Sequence, residues 1–536
     1  MQRRHFLGLG AAAGLAAALP ACRRLEHLGI PIAVLRPGMA EGHRLRDGTP
    51  QPQTGLREIR SRVAILGSGI AGLTAAWRLA RAGHTDFLLV DGPEPDGNAA
   101  GGRLGGIPHP RGAHYLPLPS LESRVVREIL HEMGIIEDAP FSAHPRYAET
   151  ALVHEPDERL WFEGQWREGL LPTAHVGADE AAQHQRFMDA MNRLQETRGA
   201  DGRRAFAVPL ALSSADPAWR ALDTQPFSRW LAAQGYTAPS LLAWLDYICR
   251  DEYGAGPDRV SAWFGLHYFA SRGGHAANAR DGSVLTWPDG LAPLARHLRA
   301  GLPPGCRQAG TVWRIDESSR GLSILAGDTA GPLRILAERA ICAMPLHVAA
   351  HIVPDLRERG FDPARHLPPQ SPWLVANFLL DGFPAETGDL PLAWDNVIHG
   401  SPGLGWVVAT HQWLRAARPP ATVFTAYRAL AGQAPGEARR WLESASAASL
   451  YELASEELRH IYGAPTLWRL TRSVEITLRG HGMACPVPGS LTNPGLEALR
   501  RADGRLLFAH ADLSGYSVFE EAAHWGDQAA QKILAG

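Results

Sequence analysis

A chain of 536 residues with 45% hydrophobic content can bury a large core shared by two intertwined domains, and a formal charge of −2 gives nucleic acid or an acidic partner no reason to bind. Lys532 is the one lysine, which removes lysine from any catalytic scheme. The five cysteines, Cys22, Cys249, Cys306, Cys342 and Cys485, are widely scattered and show no paired spacing, so neither a disulfide framework nor a metal site is expected.

Arg3 and Arg4 precede His5, Phe6 and Leu7, and an apolar run rich in alanine and glycine follows to Leu19. That run is too short to span a bilayer; a basic start, a short apolar centre and small residues at its end make an export signal. Paired arginines before Phe-Leu fit the twin-arginine class, so the expected location is the periplasm or a membrane face, with that export machinery as a partner. Leu19-Pro20-Ala21-Cys22 resembles a bacterial lipobox, in which Cys22 would carry a lipid anchor; ordinary cleavage and no cleavage stay open beside it. No other segment is long and apolar enough to cross a membrane. Residues 23–60, with several Pro and Gly and little periodicity, read as an extended arm, either packed on the body or spacing it from a membrane.

Val63 to Leu66 is a short aliphatic strand, followed by Gly67-Ser68-Gly69-Ile70-Ala71-Gly72. The spacing of Leu73, Ala76, Trp77 and Ala80 predicts a helix over 70–81, stopped at Gly83, and a second strand over Phe87–Val90 that ends at Asp91-Gly92. Gly67 permits the tight turn, Gly69 lets the backbone approach a diphosphate, and Gly72 lets helix and strand pack closely. The helix N-terminus then faces the phosphates, and Asp91 can accept hydrogen bonds from a ribose hydroxyl pair. This pattern is a dinucleotide cradle. Twin-arginine export carries folded proteins, a route that suits an enzyme needing to take up such a cofactor before it leaves.

The next stretches, DGNAAGGRLGG and PRGAHYLPLP, with Gly101-Gly102-Arg103 and Gly112-Ala113-His114-Tyr115, resemble the flavin-containing amine oxidase superfamily. The resemblance implies FAD, with Arg103 at its phosphates and residues 112–115 passing the isoalloxazine. Further matches follow in the family's order. They are TWPDGLAPLARHL (286–298), the strand of Val312 that meets adenine, ERAICAMPL (338–346), and RLLFAHADLSGYSVFEEAAHWGDQAA at the C-terminus. In the last of these Asp512 stands where an acid meets the diphosphate and ribityl region, and the helix near Phe519 aims its N-terminus at the flavin's pyrimidine edge.

The substrate half resembles the family only diffusely. The family's lysine near flavin N5 has no counterpart here. In RGHGMACPVPGS (479–490), His481 occupies the position of the cysteine that links flavin covalently in some members, and Cys485 falls later, so non-covalent FAD is expected. His481 is a candidate to polarise substrate, accept a proton or pack. Tyr516 matches one wall of the family's aromatic cage, with longer spacing to the following helix; His114 is a third candidate, whose ring could serve only to line the flavin pocket.

The expected fold is α/β, a Rossmann-like FAD-binding domain interleaved with an α+β substrate-binding domain of the amine oxidase type. Its expected divisions are a signal (1–22), the arm (23–60), FAD-binding parts (61–155, 273–345 with a β-meander, 473–536) and substrate parts (156–272, helical, and 346–472). The expected activity is hydride transfer from a small-molecule amine to flavin. The alternatives are a desaturase or oxidase of an apolar substrate and a catalytically silent FAD-binding envelope protein.

Overall fold

A computed structural model describes residues 29–48, 51–52 and 54–536. The expected export signal and Cys22 lie outside the described residues. In chain order the elements that position the site are β1 (Ile32–Leu35), α1 (Met39–Arg46), β2 (Arg57–Leu66), α2 (Ile70–Arg81), β3 (Phe87–Val90), β4 (Tyr115–Pro117), α3 (Pro239–Tyr253) and α4 (Ala262–Ala270). They continue with β5 (Val284–Thr286), β6 (Gly331–Cys342), α5 (Leu346–Ile352), β7 (Gln370–Asp381), β8 (Ala421–Ala429), α6 (Pro435–Ser444), β9 (Thr471–Ala484), β10 (Leu506–Phe508) and α7 (Phe519–Leu534).

The first sheet holds the cradle. Arg307–Gln308, β3, β2, β6 and β10 run parallel, and Gly321–Asp328 and Thr311–Ser318 extend β6 as an antiparallel meander. Helices α2 and α7 pack on one another beside this sheet. A parallel sheet needs cover on both faces, which is why Val63–Leu66 and Phe87–Val90 are buried without alternation.

An eight-stranded sheet runs in the order β1, β9, β7, β8, Trp406–Val408, Asp395–Ile398, Glu158–Phe162, Gln165–Glu168. Strand β7 is central, and its side chains alternate between two apolar clusters. Leu374, Ala376, Phe378 and Leu380 join the helices of residues 435–470, while Trp373 and Val375 face the opposite way, toward the cavity described below. Asn377, also on the cavity-side register, is fully buried; its amide donates to the Pro110 carbonyl at 3.0 Å and accepts from the Thr425 hydroxyl at 2.7 Å. Asn377→Leu would leave the Thr425 hydroxyl without its acceptor and the Pro110 carbonyl with His109 alone, and is expected to cost about 1–3 kcal/mol, read as a lower urea midpoint.

Two features differ from the sequence reading. Residues 158–168 are not helical: they form a hairpin whose first strand pairs in parallel with Asp395–Ile398, held by Arg159 on Asn396 at 2.6 Å. The segment before β2 is not an extended arm over its described part, because β1 adds an edge strand in parallel to β9 and α1 lies against α5. Four apolar residues at Ile32–Leu35 are enough for an edge strand, but too few to give a periodic signal in sequence.

Candidate active site

At Gly72 an added Cβ would stand 1.9 Å from the Gly67 carbonyl oxygen, so only glycine closes the turn between β2 and α2. Gly69 caps α2 without any side-chain hydrogen bond, which leaves the first amides of the helix open to an anion. An added Cβ at Gly69 meets no protein atom within 4 Å, because the turn faces empty space. These are the properties a dinucleotide diphosphate requires, and the residues present fit one.

The turn opens into a cavity of about 890 Å³, within the range of cofactor and ligand sites. Gly67, Gly69, Ala71, Gly92, Gly112 and Ala113 lie on its wall, as do Val312 and Phe519. Asp512 reaches it too, accepting from the Leu346 amide at 2.9 Å and from Gln370 at 3.1 Å. Burial opposes ionisation of Asp512, but neighbouring His510 and these donors hold its carboxyl well below the usual range. It is a fixed anion.

Five of the predicted cofactor residues do not reach the wall. Gly72 and Gly102 serve close packing, Gly102 against His109 and Arg111. The buried Ser68 hydroxyl donates to the Asp91 carbonyl at 2.9 Å. The Asp91 carboxylate pairs with Arg307 at 2.8 Å, because Arg307–Gln308 runs beside β3. Arg103 is exposed and bonds the Gly106 carbonyl across a two-residue turn, at 3.0 Å. The guanidiniums that do line the cavity include Arg439 and Arg479, the latter clamped by both oxygens of Glu94.

The three proposed chemical residues all reach the cavity but are not brought together as one unit. His481, on β9, stacks on His347 of α5, with ring centroids 4.1 Å apart, and burial and His347 push its pKa down to about 3. His114 stacks on Tyr427 at 4.3 Å and approaches Trp394 at 5.6 Å; burial holds it near 3, so it is a neutral ring in an aromatic wall. Tyr427 in turn donates its hydroxyl to the Gly112 carbonyl at 3.1 Å. Tyr516 donates a short hydrogen bond to Glu252, whose other oxygen pairs with Arg272 at 2.7 Å.

That last contact leads to residues the sequence did not single out. Asp251 and Glu252 end α3 and face the cavity beside Arg272, Tyr115 and Tyr427. Glu252 is neutralised by Arg272. Asp251 is pushed up to about 7 by burial and by Glu252, with Arg272 opposing. Asp395 lies on the same side, and burial and Asp251 raise its carboxyl well above the usual range. Asp251 and Glu252 against Arg272 leave this part of the wall with more carboxyl groups than cations, and Tyr115, Trp373 and Tyr427 line it, packed in one cluster with Trp394 behind them. Such a chamber favours a cation, through charge and through the faces of the rings. Arg272→Met would leave Glu252 buried without a countercharge, held by Tyr516 alone; a loss of about 3–5 kcal/mol in urea unfolding is expected, against about 1–3 kcal/mol for Tyr516→Phe.

Cys249, Cys306, Cys342 and Cys485 are buried free thiols, and Cys485 sits in the apolar cluster of the helical substrate part, off the cavity wall. Lys532 donates to the carbonyls of Arg500 and Ala502 and does not line the cavity.

Fold and site together define a Rossmann-like dinucleotide-binding unit set in an α/β fold of the amine oxidase type. Residues 65–133 match the family of NAD(P)-binding Rossmann-like domains. No curated protein sequence matches the chain. Among solved structures it is similar to a putrescine oxidase bound to putrescine, at 16% identity and a TM-score of 0.62, covering 90% of this chain and 100% of the other. It is also similar to cyclohexylamine oxidase from Brevibacterium oxydans IH-35A (17% identity, TM-score 0.59, 89% and 99% covered). A third likeness is to a fatty acid isomerase of P. acnes that produces CLA (16%, TM-score 0.57, 88% and 99%). At these identities the likeness is one of fold.

Proposed function

We propose that the protein is an FAD-dependent oxidoreductase that oxidises an amine at the carbon next to nitrogen. The observation that carries this reading is the placement of Asp251 in an aromatic chamber on the wall of the same cavity as the glycine cradle. FAD, when bound, supplies the hydride acceptor.

The chain's own residues do the rest. Ionised Asp251 draws an ammonium group into the chamber and orients it against Tyr115 and Tyr427. Ionised Asp251 then accepts the proton of the bound ammonium, leaving a neutral amine whose lone pair assists hydride loss. The product imine hydrolyses once released to water. Arg272 cancels Glu252 and so keeps the net charge of the chamber near that of Asp251 alone, while Tyr516 fixes Glu252 in place. His114 lines the wall as a neutral ring, and His481 is paired with His347 at a separate part of the cavity. Non-covalent retention of FAD belongs to the same reading, as Cys485 is buried in the neighbouring apolar cluster and does not line the wall.

A second reading, oxidation of an apolar substrate, is favoured by Trp373, Val375 and Met483 on the same wall and by the absence of lysine there. Anaerobic mixing of the flavin-loaded protein with a panel of primary amines, diamines and apolar donors separates them. Bleaching by amines is the expected result; bleaching by apolar donors alone supports the second reading, and bleaching by none supports a silent FAD-binding protein. Twin-arginine export is part of the proposal. Fatty-acid labelling that disappears in Cys22→Ser is the expected sign of a lipid anchor.

A further inference from the structure

Part of the cavity's wall is made by a segment outside the Rossmann unit. Strand β1 is fixed to β9 in parallel register, Ile32 opposite Val474 through Leu35 opposite Thr477, with the Val474 amide on the Pro31 carbonyl at 2.9 Å. The chain then turns at Gly38, which has a left-handed φ of 67° and lies against the Pro93 ring, and α1 crosses toward α5. Met39, Gly42, His43 and Leu45 of this segment line the same cavity as Gly69, Ala71 and Asp512. The segment thereby joins three parts that enclose the cavity: β9 and α6 on the substrate side, the loop after β3, and α5 beside Asp512.

Its hold on the body is weak in kind. No residue of α1 is buried. The helix is fastened to α6 by His43 and Arg46, both 3.2 Å from one oxygen of Glu443, and the preceding turn by Arg36 on the Ala445 carbonyl at 3.5 Å. Half-exposed ion pairs of this sort contribute about 0–1 kcal/mol each, and a helix whose one apolar contact with the core is the half-buried Leu45 belongs to the part of a fold that opens most easily. A wall that encloses a bulky ligand and opens at low cost controls the rate at which that ligand enters and leaves.

We propose that residues 29–48 are part of the cofactor site, a strap across a diphosphate-containing dinucleotide, and that the cofactor exchanges only when α1 lifts away from α6 and α5. The proposal rests on the FAD reading above. It assigns the segment a binding role in place of a spacer.

The Cβ of Gly38 would stand 3.9 Å from that of Pro93, inside the span of about 3.5–4.5 Å that a disulfide needs. The double variant Gly38→Cys/Pro93→Cys can therefore close the strap reversibly. The measurement is the release of FAD from loaded, full-length protein, followed by flavin fluorescence with an excess of a flavin-scavenging apoprotein. Comparing the same sample oxidised and after dithiothreitol removes any effect of the substitutions themselves. Release at least tenfold slower in the oxidised form, with the disulfide verified by mass, is the expected result. Equal rates in the two forms would overturn the strap. Should the double variant fail to fold, Glu443→Gln carries the test: it loosens both His43 and Arg46, and release several-fold faster than wild type is expected, while an unchanged rate overturns the proposal. Protein that folds but takes up no FAD in any form would refute the flavin reading, a result distinct from equal release rates.

Discussion

Gly69→Ala is expected to leave the fold intact and to weaken FAD binding at least tenfold, whereas Gly72→Ala is expected to damage both. The two glycines lie in one turn but meet different surroundings. A methyl group at Gly72 lands 1.9 Å from the Gly67 oxygen, so strand and helix must part. Overpacking of this kind costs about 1–3 kcal/mol and displaces the helix end that would bind the diphosphate. At Gly69 the backbone has an ordinary φ of −68° and an added methyl touches no protein atom. Its only obstacle is whatever occupies the cavity. Urea unfolding of the apoproteins and titration with FAD check both statements: stability close to wild type with weaker FAD for Gly69→Ala, and lower stability with little or no FAD for Gly72→Ala. Full FAD affinity in Gly69→Ala would place the diphosphate elsewhere.

The second large effect is expected at Asp251. Asp251→Asn should lower kcat/KM for amines about 100-fold, roughly 3 kcal/mol, by removing the charge that holds an ammonium in a low-dielectric chamber. The pH profile gives the sharper test. Wild-type kcat/KM should rise with pH through about 7 as Asp251 ionises, and this acid limb should vanish in the variant. The sign of the stability effect is opposite. The carboxyl titrates near 7 in the fold, above its ordinary value of 3.8, so its contribution is present below pH 4 and is lost as pH rises through 7. Asp251→Asn should therefore be at least as stable as wild type at pH 8, which separates loss of activity from loss of fold. The neighbours that set this titration are Glu252, Arg272, Arg250 and Tyr115, with Asp395 opposite.

The cradle half of the molecule is legible in sequence because its physics is local. Helix 70–81 and strand 87–90 fall where the spacing of apolar residues and the glycines puts them, and Val63–Leu66 forms the buried end of a longer strand. Asp512 and Val312 reach the same wall from distant segments. Side-chain direction was less legible. Asp91 ends its strand as expected, but the partner that claims its carboxylate, Arg307, comes from a strand of two residues with no sequence signature. Arg103 keeps its motif and still turns outward.

The chamber was hidden for a different reason. LLAWLDYICRDEYG reads as an aromatic helix packed in a core, and α3 is that over most of its length. One local signal was present. Asp251 and Glu252 sit in the last turn, where the helix dipole disfavours negative charge, and two acids there need a compensating reason. Glu252 finds it in Arg272, twenty residues on and past another helix; Asp251 finds, among the described residues, a hydrogen bond from Tyr115 and the attraction of Arg272 and Arg250. Trp373 and Tyr427 are brought to the same wall by the register between β7 and β8, which is a long-range property.

The most direct measurement is the visible absorption spectrum of the purified protein before and after acid precipitation. Two flavin bands that pass quantitatively into the supernatant, at about one FAD per chain, are predicted. Folded protein without flavin absorption, and unable to acquire it on incubation with FAD, would contradict the account; colour that stays with the pellet would contradict its non-covalent cofactor.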